Sequence, residues 1–398
     1  MGDLDDFFLS FEDQMMYGTE NLTAIHSIAA NKEWPNASVE ETSQETADPP
    51  ILIHGRRFYA VVTPIIIVLG LAGNLISLCV FKNRKLRVLG ASQYLIALSI
   101  SDLSVLIIYV LFDWITKGLP YLGHDLTIRI LALNGVCHVF LFFSYWFRFI
   151  SVWIIVTFTI ERYIGVCKPL QKIKMSTTRN ARKTIIFCTL LGACLSLWKP
   201  LMSGVFINEE HNVAVCTHDA AHKFTSFVLD IIFALSITLV PVIIITVLNI
   251  AMVRNLVTRF RGEAVKDVMK VNNATNKLRM EMTCMLLVLS TCFVALSIPY
   301  LITWCYHMYT TFESKQRDFK YMRGVLYITR TIFYVNYCIN FFLYSLTGAC
   351  FRQHLAMMFC GRRMYSPAAS VKTRSFSRSS GTRMTTLSLN VNNLDTFV

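Results

Sequence analysis

Charged side chains stand inside or at the ends of apolar runs in this chain: Asp102, Asp113, Arg148, Glu161 beside Arg162, Lys199, Asp230 and Arg330. A charge at the centre of a bilayer costs at least ~2.5 kcal/mol unless it faces a cavity or a partner. Each of these residues therefore implies a function or an ion pair, and the chemistry open to them is ionic recognition and switching. Catalysis is not indicated, because no nucleophile–base constellation stands out. No CxxC pair or His-rich cluster has metal-ligand spacing either. Arg148 follows Cys137, Leu141 and Ser144 at helical spacing and shares their face. Asp102, a lone carboxylate in the middle of its run, must be protonated or find a cation.

The elements that must position these groups are membrane spans. Of the 398 residues, 54% are hydrophobic and 16% charged, more apolar side chain than one soluble core of this size needs. Stretches of about 20 apolar residues, enough for a helix to cross the hydrocarbon layer, lie near 58–82, 91–115, 134–166, 183–207, 224–253, 280–309 and 322–348. The last is the least hydrophobic, with Arg323, Arg330, Asn336 and Asn340, so its polar face must meet protein. The net charge of +13 does not indicate nucleic acid, because the basic residues fall between apolar runs instead of forming one stripe. Most of the twelve cysteines lie inside those runs and behave as small hydrophobes.

Lysine and arginine concentrate after the first and third spans, before the sixth and in the tail, which places those segments in the cytosol. Residues 1–54 then form an outer arm, with Asn21-Leu-Thr and Asn36-Ala-Ser as glycosylation acceptors or as part of a merely solvated segment. The arm has no signal-peptide pattern, so the first span is expected to direct its own insertion. The expected multi-pass protein has its N-terminus outside the plasma membrane and its C-terminus in the cytoplasm.

Several residues together resemble the rhodopsin-like G-protein-coupled receptors, over about residues 55 to 360. They are Asn74 in "GNLISLCVF", Asp102 in "LSISDL", Cys137 with Glu161-Arg162-Tyr163 at the family's separation, Lys168 to Leu170, Pro241, Phe293, Pro299, and Asn340 to Tyr344 in "NFFLY". The resemblance implies an all-α seven-transmembrane bundle, a receptor and not an enzyme. It also implies a cytosolic switch in which Arg162, held by Glu161, is released when span six moves outward and meets a heterotrimeric G protein together with Tyr163, Leu170 and Tyr344. An arginine that only snorkels at a helix end is the plainer alternative. Cys137 and Cys216 match the family's disulfide. Asp102, Ser151, Asn336 and Asn340 match its sodium pocket, the only cofactor-like group implied; a polar core that merely packs helices is the other reading.

This sequence also departs from the pattern. Span four lacks the central tryptophan, Ser297 stands where span six usually has one, Phe341 replaces the proline of the span-seven motif, and Asn249 replaces a span-five tyrosine. Arg279 occupies a position where some members place an acid opposite Arg162, so no bridge from span six is expected. Ser144 stands where amine receptors carry aspartate and Tyr334 where opsins carry the retinal lysine, so neither ligand fits.

A cavity holding Asp113, Ser144, Tyr145, Arg148, Asp230, Tyr327 and Arg330, with both signs of charge and aromatic walls, suits a short peptide with polar termini. The alternative is a set of internal ion pairs, Asp230 with Arg148 or Asp113 with Arg330, that only joins helices. The "NFFLY" variant is similar to that of FMRFamide-like neuropeptide receptors. Other readings are a receptor for a lipid or metabolite, or a transporter, although no repeated halves or broken helix pairs appear.

After the receptor domain at 55–348, residues 349–361 read as an amphipathic membrane-surface helix with Phe351, Leu355, Met358 and Phe359 toward lipid. Cys350 and Cys360 there are palmitoylation candidates. Residues 362–398 read as a disordered tail suited to receptor kinases and arrestin. Its final "DTFV" offers Thr396 and Val398 to a PDZ-domain scaffold.

Overall fold

The computed structural model describes residues 48–87, 89–123, 133–168, 177–208, 213–263, 273–312 and 316–360. Asn21, Asn36, Leu170, Thr396 and Val398 lie outside the described residues, as does the side chain of Cys360.

Lipid supplies no hydrogen-bond partner, so each apolar run must satisfy its own backbone and folds as a helix. The helices are α1 (Pro50–Phe81), α2 (Gly90–Lys117), α3 (Asn134–Cys167) and α4 (Thr178–Leu201). They are followed by α5 (Lys223–Ile237 and Leu239–Glu263), α6 (Asn273–Phe312), α7 (Gln316–Tyr334, resuming at Asn340–Thr347) and α8 (Ala349–Cys360). Among the described residues, six of these helices are long and apolar enough to cross a membrane. Besides the short α8, the exception is α7, which turns its polar side inward: Thr329, Arg330, Thr331, Asn336 and Asn340 are buried, whereas Phe342 and Leu346 face outward.

The breaks in the helices have local causes. Pro241 has no N–H for the carbonyl of Ile237, and α5 is interrupted at Thr238. In α2 a π-helical segment, Leu106–Val110, widens one turn and shifts the register beyond it. In α7 the chain tightens to a 3₁₀ turn at Val335–Tyr337 although Phe341 stands in place of proline. Asn74 of α1 stabilises that turn by donating to the Tyr337 carbonyl at 2.7 Å.

Two differences from the sequence expectation stand out. Span four ends at Leu201, short of the expected 207, because Ser203–Asn208 is a strand β1 paired antiparallel with β2 (Val213–His218). The backbone of this hairpin sets Val205 opposite Cys216, and Cys216 is disulfide-bonded to Cys137 near the start of α3. Phe351 of α8 turns toward the bundle instead of lipid: it is buried and packs on Phe81 and Tyr344, with ring centroids at 5.3 and 5.7 Å.

The tightest crossing joins α1 and α7. A Cβ on Gly324 would lie 2.5 Å from the Ile51 carbonyl oxygen, and one on Gly55 would collide with the Gly324 carbonyl. Only glycine admits that backbone approach. It holds α7 against α1 at the end of the bundle that carries the disulfide.

Candidate functional site

A cavity opens among α2 to α7 at the disulfide end, closed in part by Cys216. Helical spacing on α3 brings Leu141, Ser144, Tyr145 and Arg148 to its wall. From the π segment and the turn beyond it, α2 contributes Tyr109 and Asp113; α4 and α5 contribute Lys199, Asp230 and Phe233; α6 and α7 contribute Tyr300, Trp304 and Phe333. Of the expected ligand set, Asp113, Ser144, Tyr145, Arg148 and Asp230 line the cavity. Tyr327 and Arg330 stand behind the wall, Tyr327 against Tyr59 at 5.3 Å between ring centroids and Arg330 beside Asp113. Trp146 is drawn toward α4, where its indole N–H donates to the Thr189 carbonyl.

The charges fall into two buried clusters and one cation set apart from both. Asp113 accepts from Lys117 at 2.8 Å, Tyr59 at 2.7 Å and Tyr334 at 2.6 Å, and Arg330 lies 3.7 Å away. These contacts tie α1, α2 and α7 together through one carboxylate. Asp230 accepts from Lys199 at 2.8 Å and from the Tyr145 hydroxyl, joining α3, α4 and α5. Of the two ion pairs named as the alternative to a ligand cavity, Asp113 with Arg330 forms, but Asp230 with Arg148 does not, because Lys199 reaches Asp230 first. Arg148 instead lies over the rings of Tyr109 at 4.2 Å and Tyr145 at 4.5 Å, and its Nε donates to the Ser144 carbonyl.

Sequence reasoning missed Lys117, Tyr59 and Tyr109. The i,i+4 spacing of Asp113 and Lys117 was a usable signal. No comparable pattern marks the two tyrosines.

In the middle of the bundle, both Asp102 oxygens accept from neutral donors: Ser151 Oγ at 2.5 Å and Asn340 Nδ2 at 2.6 Å. Asn336 donates to Ser297 at 3.3 Å instead. No cationic side chain among the described residues partners Asp102, and the group around it offers only oxygen and amide ligands. That donor chemistry fits a hard cation. Among the described residues no cluster of His, Cys, Asp and Glu is built for a transition metal.

At the opposite end, Arg162 makes hydrogen bonds of 2.8 to 3.1 Å to Glu161, its neighbour in sequence, and lies 5.4 Å from the Phe158 ring centre. Among the described residues this is its one ion pair. Asn249 and Ser290 join α5 to α6 at 2.8 Å, a polar contact in place of the tyrosine expected of span five. Phe293 and Tyr344 are buried, and Tyr344 meets the edge of Phe81. Tyr163 is half-buried, and Pro299 lies within α6, its carbonyl accepting from Thr303 at 2.8 Å. In α8, burial pushes the Cys350 thiol pKa up, and its sulfur lies 3.7 Å from His354 Nδ1.

Comparison with known proteins adds the relatives. The family described as "7 transmembrane receptor (rhodopsin family)" matches residues 73–344. The thyrotropin-releasing hormone receptor of Gallus gallus is 24% identical, over 78% of this chain and 82% of that protein. The galanin-like G-protein coupled receptor npr-9 of Caenorhabditis elegans is 22% identical, over 81% and 78%. A purinoceptor of Homo sapiens is 26% identical, over 57% of this chain and 59% of its own length.

Proposed function

This chain belongs to the rhodopsin family of seven-transmembrane receptors, and from that premise we propose that it is a neuropeptide receptor. It is a G-protein-coupled receptor and not an enzyme. In this reading an extracellular peptide enters the cavity at the disulfide end, and a heterotrimeric G protein engages the Arg162 end from the cytosol. The observation that carries the reading is the cavity itself: aromatic walls with carboxylates and cations on opposite helices suit a chain with polar ends and mixed side chains. The hormone and galanin-like receptors among its relatives support a peptide.

Inward binding favours the state in which α6 moves away from α3. Arg162, bonded among the described residues only within its own helix, is then able to leave Glu161 without breaking a described contact between helices. A sodium ion held by Asp102 with Ser151, Asn336 and Asn340 would neutralise the one buried carboxylate that has no cationic partner among the described residues. Glycans on Asn21 and Asn36, a palmitoyl group on Cys350 or Cys360, and capture of the tail by receptor kinases, arrestin and a PDZ scaffold complete the proposal.

The test is nucleotide exchange on purified G proteins in membranes containing the chain, challenged with a neuropeptide library. A peptide-dependent rise supports the reading; solute flux without exchange would point to transport. A second reading, a metabolite in the same cavity, is favoured by the match to a purinoceptor. Exchange driven by a nucleotide and by no peptide would select it.

A further inference from the structure

We propose that the ligand of this cavity presents an anionic group, a carboxylate or a phosphate, that docks on Arg148. The inference rests on the reading of the cavity as the ligand site and assigns the charge of the ligand's deep end.

Both described carboxylates of the cavity are already engaged. Asp113 accepts hydrogen bonds from Lys117, Tyr59 and Tyr334, three of the roughly four lone-pair directions a carboxylate offers, and Arg330 lies 3.7 Å away as a second cation. Asp230 holds Lys199 and Tyr145. A cationic ligand would have to displace a side chain from one of these buried pairs and strand it without a counter-charge. An anion meets no such obstacle.

Arg148 is the group left over. Among the described residues it has no carboxylate partner. One hydrogen bond uses its Nε, on the Ser144 carbonyl of its own helix, and the other guanidinium N–H groups have no protein acceptor there. The rings of Tyr109, Tyr145 and Phe233 lie 4.2 to 5.3 Å from its central carbon. Such faces relieve a buried cation by a fraction of what a counter-ion supplies. The wider ledger agrees: Arg148 and Lys199 line the cavity with Asp113 and Asp230, and Lys117 and Arg330 stand behind Asp113, so cations outnumber carboxylates around the site. The planar guanidinium fork matches a carboxylate or a phosphate through two parallel hydrogen bonds. Arg148 lies about 16 Å along α3 from Cys137, at a rise of ~1.5 Å per residue, so the anion enters first and deepest.

The experiment measures binding to the purified receptor in lipid nanodiscs for four phenyl-bearing probes of similar size: 3-phenylpropionate, phenyl phosphate, the neutral 3-phenylpropionamide and the cationic 3-phenylpropylamine. At least one anion should bind about tenfold more tightly than the amide, with the amine weakest. Arg148→Gln should erase that preference. A carboxylate preference points to a peptide terminus or acidic side chain as the source, and a phosphate preference to a phosphorylated metabolite. The proposal is overturned if neither anion exceeds the amide, if the amine binds most tightly, or if the anion preference survives in Arg148→Gln. Where the glutamine variant fails to fold, Arg148→Lys carries the test: it keeps the charge but loses the fork, so an undiminished anion preference again overturns the proposal. Binding is read here without a G protein. A chain that prefers the anions yet drives no nucleotide exchange would defeat the proposed function and not this inference.

Discussion

At the disulfide end of the bundle, each buried carboxylate is held by partners on other helices; at the far end, Arg162 is held by the residue next to it. Asp113 gathers Tyr59 from α1 and Tyr334 and Arg330 from α7, and the glycine crossing of α1 and α7 stands at the same end. The bonds between Glu161 and Arg162, by contrast, join no two helices. An interhelical pair resists any motion that separates its helices, whereas a pair within one helix is indifferent to it. The ion pairs of the first end therefore resist separation of their helices, whereas the Arg162 pair of the second adds no such resistance.

The severest test of that contrast is Asp113→Ala. It takes from Lys117 and Arg330 the buried carboxylate they share, and the expected loss is about 3–5 kcal/mol. Thermal unfolding in nanodiscs reads it. Converting Lys117 and Arg330 to Met in the same chain should restore much of the loss, because this cluster then holds no uncompensated charge. A variant that melts with the parent would show that Asp113 is not the bolt of this end. Next in size is Cys137→Ser, which frees the β1–β2 hairpin from α3. A cost of about 2–5 kcal/mol is expected, and ligand response should fall even where surface expression persists, since Cys216 helps wall the cavity.

Between the two ends, Asn74→Ala removes the donor to the Tyr337 carbonyl at the 3₁₀ turn of α7. The orphaned carbonyl should cost about 1–3 kcal/mol. Hydrogen exchange at residues 335–340 should then quicken while the disulfide end keeps its protection. Uniform acceleration across the bundle would mean that α7 is a single rigid unit and that the two ends are not mechanically distinct.

How much of this was open to the sequence depended on whether residue type alone decides the outcome. Asp102 had to find donors on other spans, and Ser151 and Asn340 are where the resemblance placed them. Cys137 and Cys216 form the implied disulfide. What stayed hidden depends on helix rotation and irregularity, which periodicity does not record. Lys199 and Arg148 are both cations within reach of α5, and only the seating of α4 gives Asp230 to Lys199. The π segment of α2 shifts the register between Asp102 and Asp113 without a proline or glycine inside it to announce it. The strand Ser203–Asn208 is apolar enough to extend a span and becomes a strand only because β2 lies alongside it.

The smallest effect on stability, and the sharpest on function, is expected from Glu161→Gln. The pair is only about one-tenth exposed, so the substitution removes charge-assisted hydrogen bonds worth about 1.5 kcal/mol. It does not strand a cation as Asp113→Ala does, because Arg162 stands at the end of the bundle and its long stem is able to carry the guanidinium to water. The energy that held Arg162 quiet is lost while the fold is kept, so basal nucleotide exchange should rise severalfold with no ligand added. Melting and exchange measured on the same preparation separate the alternatives. If Glu161→Gln unfolds as readily as Asp113→Ala with no gain in exchange, the Arg162 pair is a structural bolt as well, and both ends of the molecule are built alike.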